Sequence, residues 1–326
     1  MKDTIHQNEK SIEINPKTPP EFIIIGAAKS GTTAFFDALC HHPDVYGSPV
    51  KEPHFFSQFQ IENFSENFRL NNVFDAEEYF SQTELTQQFQ LFVSDLDQYT
   101  RLFEPAPAHS IRGEASTSYL FSSEAPRRIL EHNPQTKIIA ILRNPVERAF
   151  SHYIMALKYG YTTDDFISAI RKDQEIADKG WGKSQLYLEL GHYDEQVERY
   201  YHYFPREQIH LIQHEIWKSE PDMVFREVLQ FLNLDPKNEI PQLIQNAGEV
   251  PRYPRLNRMM HQWGLRQRLA NRLTPGIKNT LRRWYLQPKN RIPFDPETRH
   301  YLMDYYRPRI ERLENIWDRD LSMWKE

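Results

Sequence analysis

The chain has a single cysteine, Cys40, among 326 residues. One thiol excludes an internal disulfide and any multi-cysteine metal site, and it fits a reducing compartment. Cys40 sits in the apolar pattern Phe35, Phe36, Ala38, Leu39, where it reads as packing rather than as a nucleophile. No run approaches the roughly 18 apolar residues that a membrane span needs. The opening MKDTIHQNEKSIEINPKTPP lacks the apolar core of a signal peptide. Residues 1–20 therefore read as a flexible leader, and the expected location is the cytosol. A basic excess is also missing: the net charge is −5, so no global positive field marks a nucleic-acid binder. The 13 histidines include no H-x-x-x-H pair on a helix, so no metal is expected. Internal repeats and low-complexity tracts are lacking too.

What is present suits an ordinary globular protein. Hydrophobic residues make up 39%, charged residues 26% and aromatic residues 13%, enough for a large core and for a groove with aromatic walls. Two apolar runs, Phe22–Ile25 and Lys137–Leu142, read as buried parallel strands. Ile111–Glu114 and Gln208–Gln213 read as further strands. Helices are expected at Thr33–Leu39, Ser123–His132, Pro145–Tyr159, Asp164–Lys179, Tyr187–Phe204, Pro221–Leu232 and Asp295–Asp318, with shorter ones at Ala76–Phe80 and Leu96–Phe103. Strands alternating with helices argue for an α/β domain over residues 21–326 with a parallel sheet covered on both faces. Residues 58–107 pattern weakly and read as a substrate-cleft segment. Residues 251–291 hold eleven basic residues and no acidic ones. That stretch reads as an anionic-polymer site, a peripheral membrane contact or a solvated helical face.

The sharpest motif is Gly26-Ala27-Ala28-Lys29-Ser30-Gly31-Thr32-Thr33, between a strand and a helix. Backbone N–H groups at such a junction cradle phosphate, and the helix terminus adds partial positive charge. A bare G-x-x-x-x-G would be an ordinary turn. Here Lys29, Gly31 and paired threonines sharpen it. The Walker lysine is absent: Thr32 follows Gly31, and the lysine lies inside the loop instead. A second motif, Arg143-Asn144-Pro145-Val146-Glu147-Arg148-Ala149-Phe150-Ser151, follows the second strand. Arg143 offers a rigid fork for phosphate oxygens, and Ser151 a hydroxyl nearly two turns along. A third string, Lys51-Glu52-Pro53-His54-Phe55-Phe56, offers a carboxylate and an imidazole for proton transfer.

Together these strings resemble the sulfotransferases that use 3′-phosphoadenosine 5′-phosphosulfate (PAPS), nearest the glycosaminoglycan and bacterial branch. The resemblance implies a P-loop-like three-layer α/β/α fold with a central, mainly parallel sheet. It implies that Lys29, Ser30, Gly31, Thr32 and Thr33 hold the 5′-phosphosulfate, with Lys29 on the bridging oxygen. It places Arg143 and Ser151 on the 3′-phosphate, Glu52 as base, and His54 beside it. Tyr193 and Arg252 are candidates for lining the nucleotide site, alongside plainer readings as core and surface residues. The stretch Gly113–Tyr119 lacks the histidine that the cytosolic branch uses as base. It also has Ala115 where the glycosaminoglycan branch often has lysine. The implied activity is transfer of a sulfuryl group from PAPS to a hydroxyl or amine, most naturally of a carbohydrate, releasing adenosine 3′,5′-bisphosphate without a metal. A P-loop nucleotide kinase, and a non-catalytic binder of the bisphosphate or of an anionic glycan, stand as alternatives.

Overall fold

Phe22, Ile24, Ile139 and Ile141 point to one side of a sheet, and Ile23, Ile25, Ile138, Ala140 and Leu142 to the other. This period-two alternation with apolar residues on both faces is the signature of a strand covered on both sides. The computed structural model describes residues 20–236, 249–262, 286–288 and 292–326. The proposed leader, up to residue 19, and much of the basic stretch lie outside the described residues.

Five strands form the sheet: β1 (Phe22–Gly26), β2 (Val45–Gly47), β3 (Ile111–Ala115), β4 (Lys137–Leu142) and β5 (Ile209–Gln213). Their order is β2-β3-β1-β4-β5, and every adjacent pair is parallel. On one face pack the helices Thr32–Leu39 and Pro221–Phe231, through Phe35, Leu39, Val224 and Val228. On the other pack Ala125–His132, Pro145–Lys158, Tyr193–Tyr203 and the long helix Pro296–Trp317. The result is a three-layer α/β/α architecture. The chain leaves β1 towards one edge and returns from β3 to β4 on its other side, so the strand order reverses around β1. In open parallel sheets, the carboxyl ends at such a reversal form the ligand crevice.

Several boundaries differ from expectation for local reasons. The helix expected from Tyr187 begins at Tyr193, after a 3-10 turn at Glu189–Gly191. The carbonyls of Tyr187 and Leu188 accept from Arg148 and Tyr306, and Leu188 O also accepts from Gly191 N, which closes a 3-10 turn in place of an α-helical one. The helix expected over Asp164–Lys179 spans only Phe166–Gln174, and its start is set by the Asp165 carboxylate, which caps it by accepting from Ser168 N. The helix expected from Ser123 starts at Ala125, with Ser122 Oγ accepting from Ala125 N. The three-residue strand β2 was not expected, being too short to pattern. In the weakly patterned segment, helices span Glu66–Asn72, Ala76–Phe80 and Leu96–Arg101. Cys40 is largely buried beside Gly47, and burial pushes its thiol up to about 12, in keeping with a packing role.

Close packing also fixes a glycine. Gly113 pairs with Phe22, whose ring lies where a Cβ would stand, 2.1 Å from the ring tip. Gly113→Ala should therefore destabilise the protein by about 1–3 kcal/mol, the usual cost of overpacking a core. Urea unfolding monitored by circular dichroism checks this, and an unchanged midpoint would contradict it.

Candidate functional site

The phosphate loop leaves β1 at its carboxyl end. Gly31 adopts φ 86° as the residue before the helix Thr32–Leu39, a left-handed geometry that favours glycine. A side chain there would also strike Trp217, 2.9 Å away. Lys29 itself lies at φ 71° and reaches helix Pro145–Lys158, its Nζ 3.4 Å from Met155 Sδ. Ser30 is fully buried, and its Oγ lacks a hydrogen-bond partner among the described residues. Thr32 is buried and opens the helix, with Thr33 behind it. An orphaned buried hydroxyl in a cationic, glycine-shaped loop is what an anion-binding cradle offers.

The second motif is held against the first. Arg143 Nη1 donates to the Lys29 carbonyl at 3.2 Å, joining the turn after β4 to the loop after β1. Arg143 Nη2 lies 3.8 Å from Glu147. Burial lowers the proton affinity of Arg143, while Glu147 and Glu215 act the other way, and an arginine stays charged throughout. Asn144 caps the following helix by accepting from Val146 N and Glu147 N. Glu215 fixes this turn by accepting from Asn144 N at 3.0 Å and from Trp324 Nε1 at 2.9 Å. Sequence reasoning missed Glu215, whose partners are distant in the chain. Ser151 is partly buried on the same helix. Tyr193 is buried at the start of its helix with Ser30 and Arg143 as neighbours, and burial pushes its phenol up to about 12. Arg148, the other arginine of the motif, is fully buried and bonds Tyr187 O, so it supports the fold rather than the cleft.

The carboxylate segment lies across β3. Glu52 is at φ 69° and His54 at φ 55°. Glu52 N donates to Ala115 O, and Glu52 O accepts from Leu91 N. Its side chain is almost fully buried and saturated: Lys51 Nζ donates at 2.8 Å, Thr117 N at 2.7 Å, and Thr117 Oγ1 at 3.1 Å. Burial alone would raise the Glu52 carboxyl. The charge of Lys51 and the bonds from Lys51 and Thr117 act against it, and the group is held below the usual range. Glu52 is thus a carboxylate at neutral pH. Thr117 also touches the phosphate loop, since a Cβ on Gly26 would come within 3.3 Å of Thr117 O. Thr117 therefore links the carboxylate to the loop.

His54 is buried, with Nδ1 2.7 Å from Ser118 Oγ and its ring stacked 4.6 Å from Phe92. Phe59 and Trp181 complete this aromatic wall. Burial lowers His54 to about 4, so its imidazole is neutral at physiological pH. Arg252 is exposed after the strand Glu249–Pro251, which lies alongside helix Pro145–Lys158. No bond ties Arg252 to the phosphate loops among the described residues. Arg255, Arg258, Leu256 and Met259 are likewise exposed on helix Pro254–Gln262. Among the described residues no cluster of ligating side chains could hold a metal.

Sequence reasoning also missed Glu114. It is fully buried and accepts from Tyr99 Oη (2.9 Å), Tyr119 Oη (2.7 Å) and Ser116 Oγ (2.8 Å). A glutamate within a short strand at its carboxyl end was the available signal. Burial raises its carboxyl to about 7, against the bonds from Tyr119, Ser116 and Tyr99, and with the Glu52 charge adding to the rise. A carboxyl bound more tightly to its proton in the folded state loses stability as pH climbs from its unfolded value to its folded one. Glu114→Gln removes that loss. Its stability relative to the parent should therefore improve between about pH 4.5 and 7, by roughly 3 kcal/mol at most. Denaturation at pH 5 and pH 8 checks this, and a pH-independent difference would contradict it.

The sequence model of the sulfotransferase domain family matches residues 19–249. Rat carbohydrate sulfotransferase 15 is 23% identical over 94% of this chain and 54% of its own length. Human heparan sulfate glucosamine 3-O-sulfotransferase 6 is 28% identical over 66% of this chain and 52% of its own. The chain thus spans about half the length of these curated relatives. A crystal structure of a sulfotransferase from Alicyclobacillus acidocaldarius superposes with a TM-score of 0.67, at 28% identity, covering 94% of this chain and 99% of that one. The loop after β1, the turn after β4 and the match over most of the chain lead to one conclusion: the chain belongs to the sulfotransferase domain family.

Proposed function

We propose that the protein transfers a sulfuryl group from PAPS to a hydroxyl or amine of a carbohydrate, with Glu52 as base. The observation that carries this reading is the bond from Arg143 Nη1 to the Lys29 carbonyl. It sets two cationic anchors, on adjacent strands, in one crevice. A donor with phosphates at both the 5′ and 3′ positions matches such a pair. A nucleotide with a single phosphate chain leaves the second anchor idle. The orphaned Ser30 hydroxyl and the left-handed Gly31 supply further places for phosphate oxygens.

In this reading the loop amides, Thr32 and Thr33 hold the 5′-phosphate, and Arg143 with Ser151 the 3′-phosphate. Tyr193 backs the nucleotide. The acceptor oxygen or nitrogen attacks sulfur as the bond from sulfur to the bridging phosphate oxygen breaks. Glu52 takes the acceptor's proton, and Lys29 stabilises the charge on the departing oxygen. Lys51 keeps Glu52 ionised and balances its charge. Glu52 is favoured over His54 because the His54 ring is stacked on Phe92 and its Nδ1 is bonded to Ser118. The carbohydrate acceptor rests on the named relatives and on the partly exposed aromatic faces of Phe59 and Trp181, which suit the apolar face of a sugar ring.

The test is transfer of 35S from labelled PAPS to chemically desulfated heparin. Glu52→Gln should lower kcat by about 100- to 10,000-fold, the usual span for losing a general base. Lys29→Ala should lower kcat in the same assay. Full turnover by Glu52→Gln would remove Glu52 from the base role.

A further inference from the structure

Many of the groups that shape Glu52 come from one short stretch of chain or from the charge beside it, while Gln88 O, Leu91 N and Val93 N bond the backbone of Lys51, Glu52 and Pro53. Ala115 O receives Glu52 N, and Thr117 N and Oγ1 donate to its carboxylate. Ser116 Oγ receives His54 N at 3.2 Å, two residues beyond Glu52. Tyr119 Oη receives Phe56 N at 3.4 Å. Ser116 and Tyr119 each turn their own hydroxyl proton towards Glu114. A loop that places Glu52 and His54 at positive φ needs outside restraint, because side-chain-bearing residues rarely hold that geometry unaided. Two of the backbone N–H groups that supply the restraint, those of His54 and Phe56, end on hydroxyls whose direction Glu114 sets. A buried carboxylate accepting three hydroxyl protons fixes all three rotors at once.

We propose that Glu114 is the positioning residue for Glu52, acting through Ser116 and Tyr119 to hold the Lys51–Phe56 loop in the geometry that presents the carboxylate. The proposal rests on the reading of Glu52 as base. Glu114 is fully buried and meets no acceptor or nucleotide itself. Its role is to convert a mobile loop into a preset one, which matters because a misplacement of about 1 Å can cost a hundredfold in rate. The bonds run from β3 to the loop, not to Lys29 or Arg143. Loss of Glu114 should therefore spare the nucleotide and damage the transfer step.

The experiment compares Glu114→Ala, Glu114→Gln, Ser116→Ala and Glu52→Gln in the full chain. Three quantities are read: adenosine 3′,5′-bisphosphate affinity by calorimetry, kcat for 35S transfer to desulfated heparin, and hydrogen exchange by peptide. Glu114→Ala and Ser116→Ala should bind the bisphosphate within about threefold of the parent and lose at least tenfold in kcat. Exchange should quicken at least tenfold over residues 51–57 and stay unchanged over 22–26. Glu114→Gln keeps an acceptor for the tyrosines and should recover most of the rate. The Glu114→Ala and Ser116→Ala effects should be non-additive when combined, since one acts through the other.

Unchanged exchange over 51–57 in both alanine variants would overturn the proposal. So would equal loosening of both segments together with lost bisphosphate binding, which marks a general loss of stability. Should Glu114→Ala fail to fold, Ser116→Ala and Glu114→Gln carry the test alone. Full transfer by Glu52→Gln, with residues 51–57 still loosened in the alanine variants, would defeat the base assignment and leave the loop restraint standing.

Discussion

The bond between the Arg143 guanidinium and the Lys29 carbonyl is the constraint on which the site depends. It joins the loop after β1 to the turn after β4, which the bond from Ala27 N to Ile141 O and the contact of Lys29 Nζ with Met155 Sδ also hold together. Together they are walls of one crevice at the carboxyl ends of adjacent strands. The sheet order puts them there. β1 and β4 pair from Phe22↔Lys137 to Gly26↔Ala140, with one register shift between Ile24 and Gly26, so the loops leaving their ends lie side by side. Glu215 and Trp324 brace the turn from the far side, so Arg143 is held as well as aimed.

The third wall comes from β3, on the opposite side of β1. There Thr117 performs two tasks, bonding the Glu52 carboxylate and resting against Gly26. The electrostatics of this wall divide two buried glutamates. Lys51 and the Thr117 amide hold Glu52 ionised despite its burial. Glu114 meets hydroxyls rather than cations, and its carboxyl rises to about 7. Neighbouring carboxyls in different surroundings thereby differ in proton affinity, Glu52 beside a cation and Glu114 among three hydroxyls.

Much of this was legible in the sequence because it is local. Lys137–Leu142 patterns as a buried strand and is one, residue for residue. The Gly26–Thr33 loop is read from glycine spacing and the strand–helix context, and it folds as such. Asp295 and Pro296 announce the start of the last long helix, where the Asp295 carboxylate caps Thr298 N. What was not legible depends on distant partners. The Tyr187–Phe204 pattern looks helical throughout, yet Arg148 and Tyr306 claim its first carbonyls from helices far along the chain. The Gly113–Tyr119 string was notable only for the histidine and lysine it lacks. Its role as a platform for Glu52 emerges when β3 is laid beside residues 51–56. His54 likewise reads as a site imidazole, and its stacking on Phe92 depends on a segment with weak pattern of its own.

The central claim is that the crevice recognises two separated phosphates. Calorimetric titration with adenosine 3′,5′-bisphosphate, AMP and Mg·ATP, on the parent and on Arg143→Ala, tests it most directly. The account predicts that the bisphosphate binds at least tenfold more tightly than AMP and that Arg143→Ala abolishes this preference. Preference for Mg·ATP, with the bisphosphate no better than AMP, would contradict it and return the loop to the nucleotide kinases.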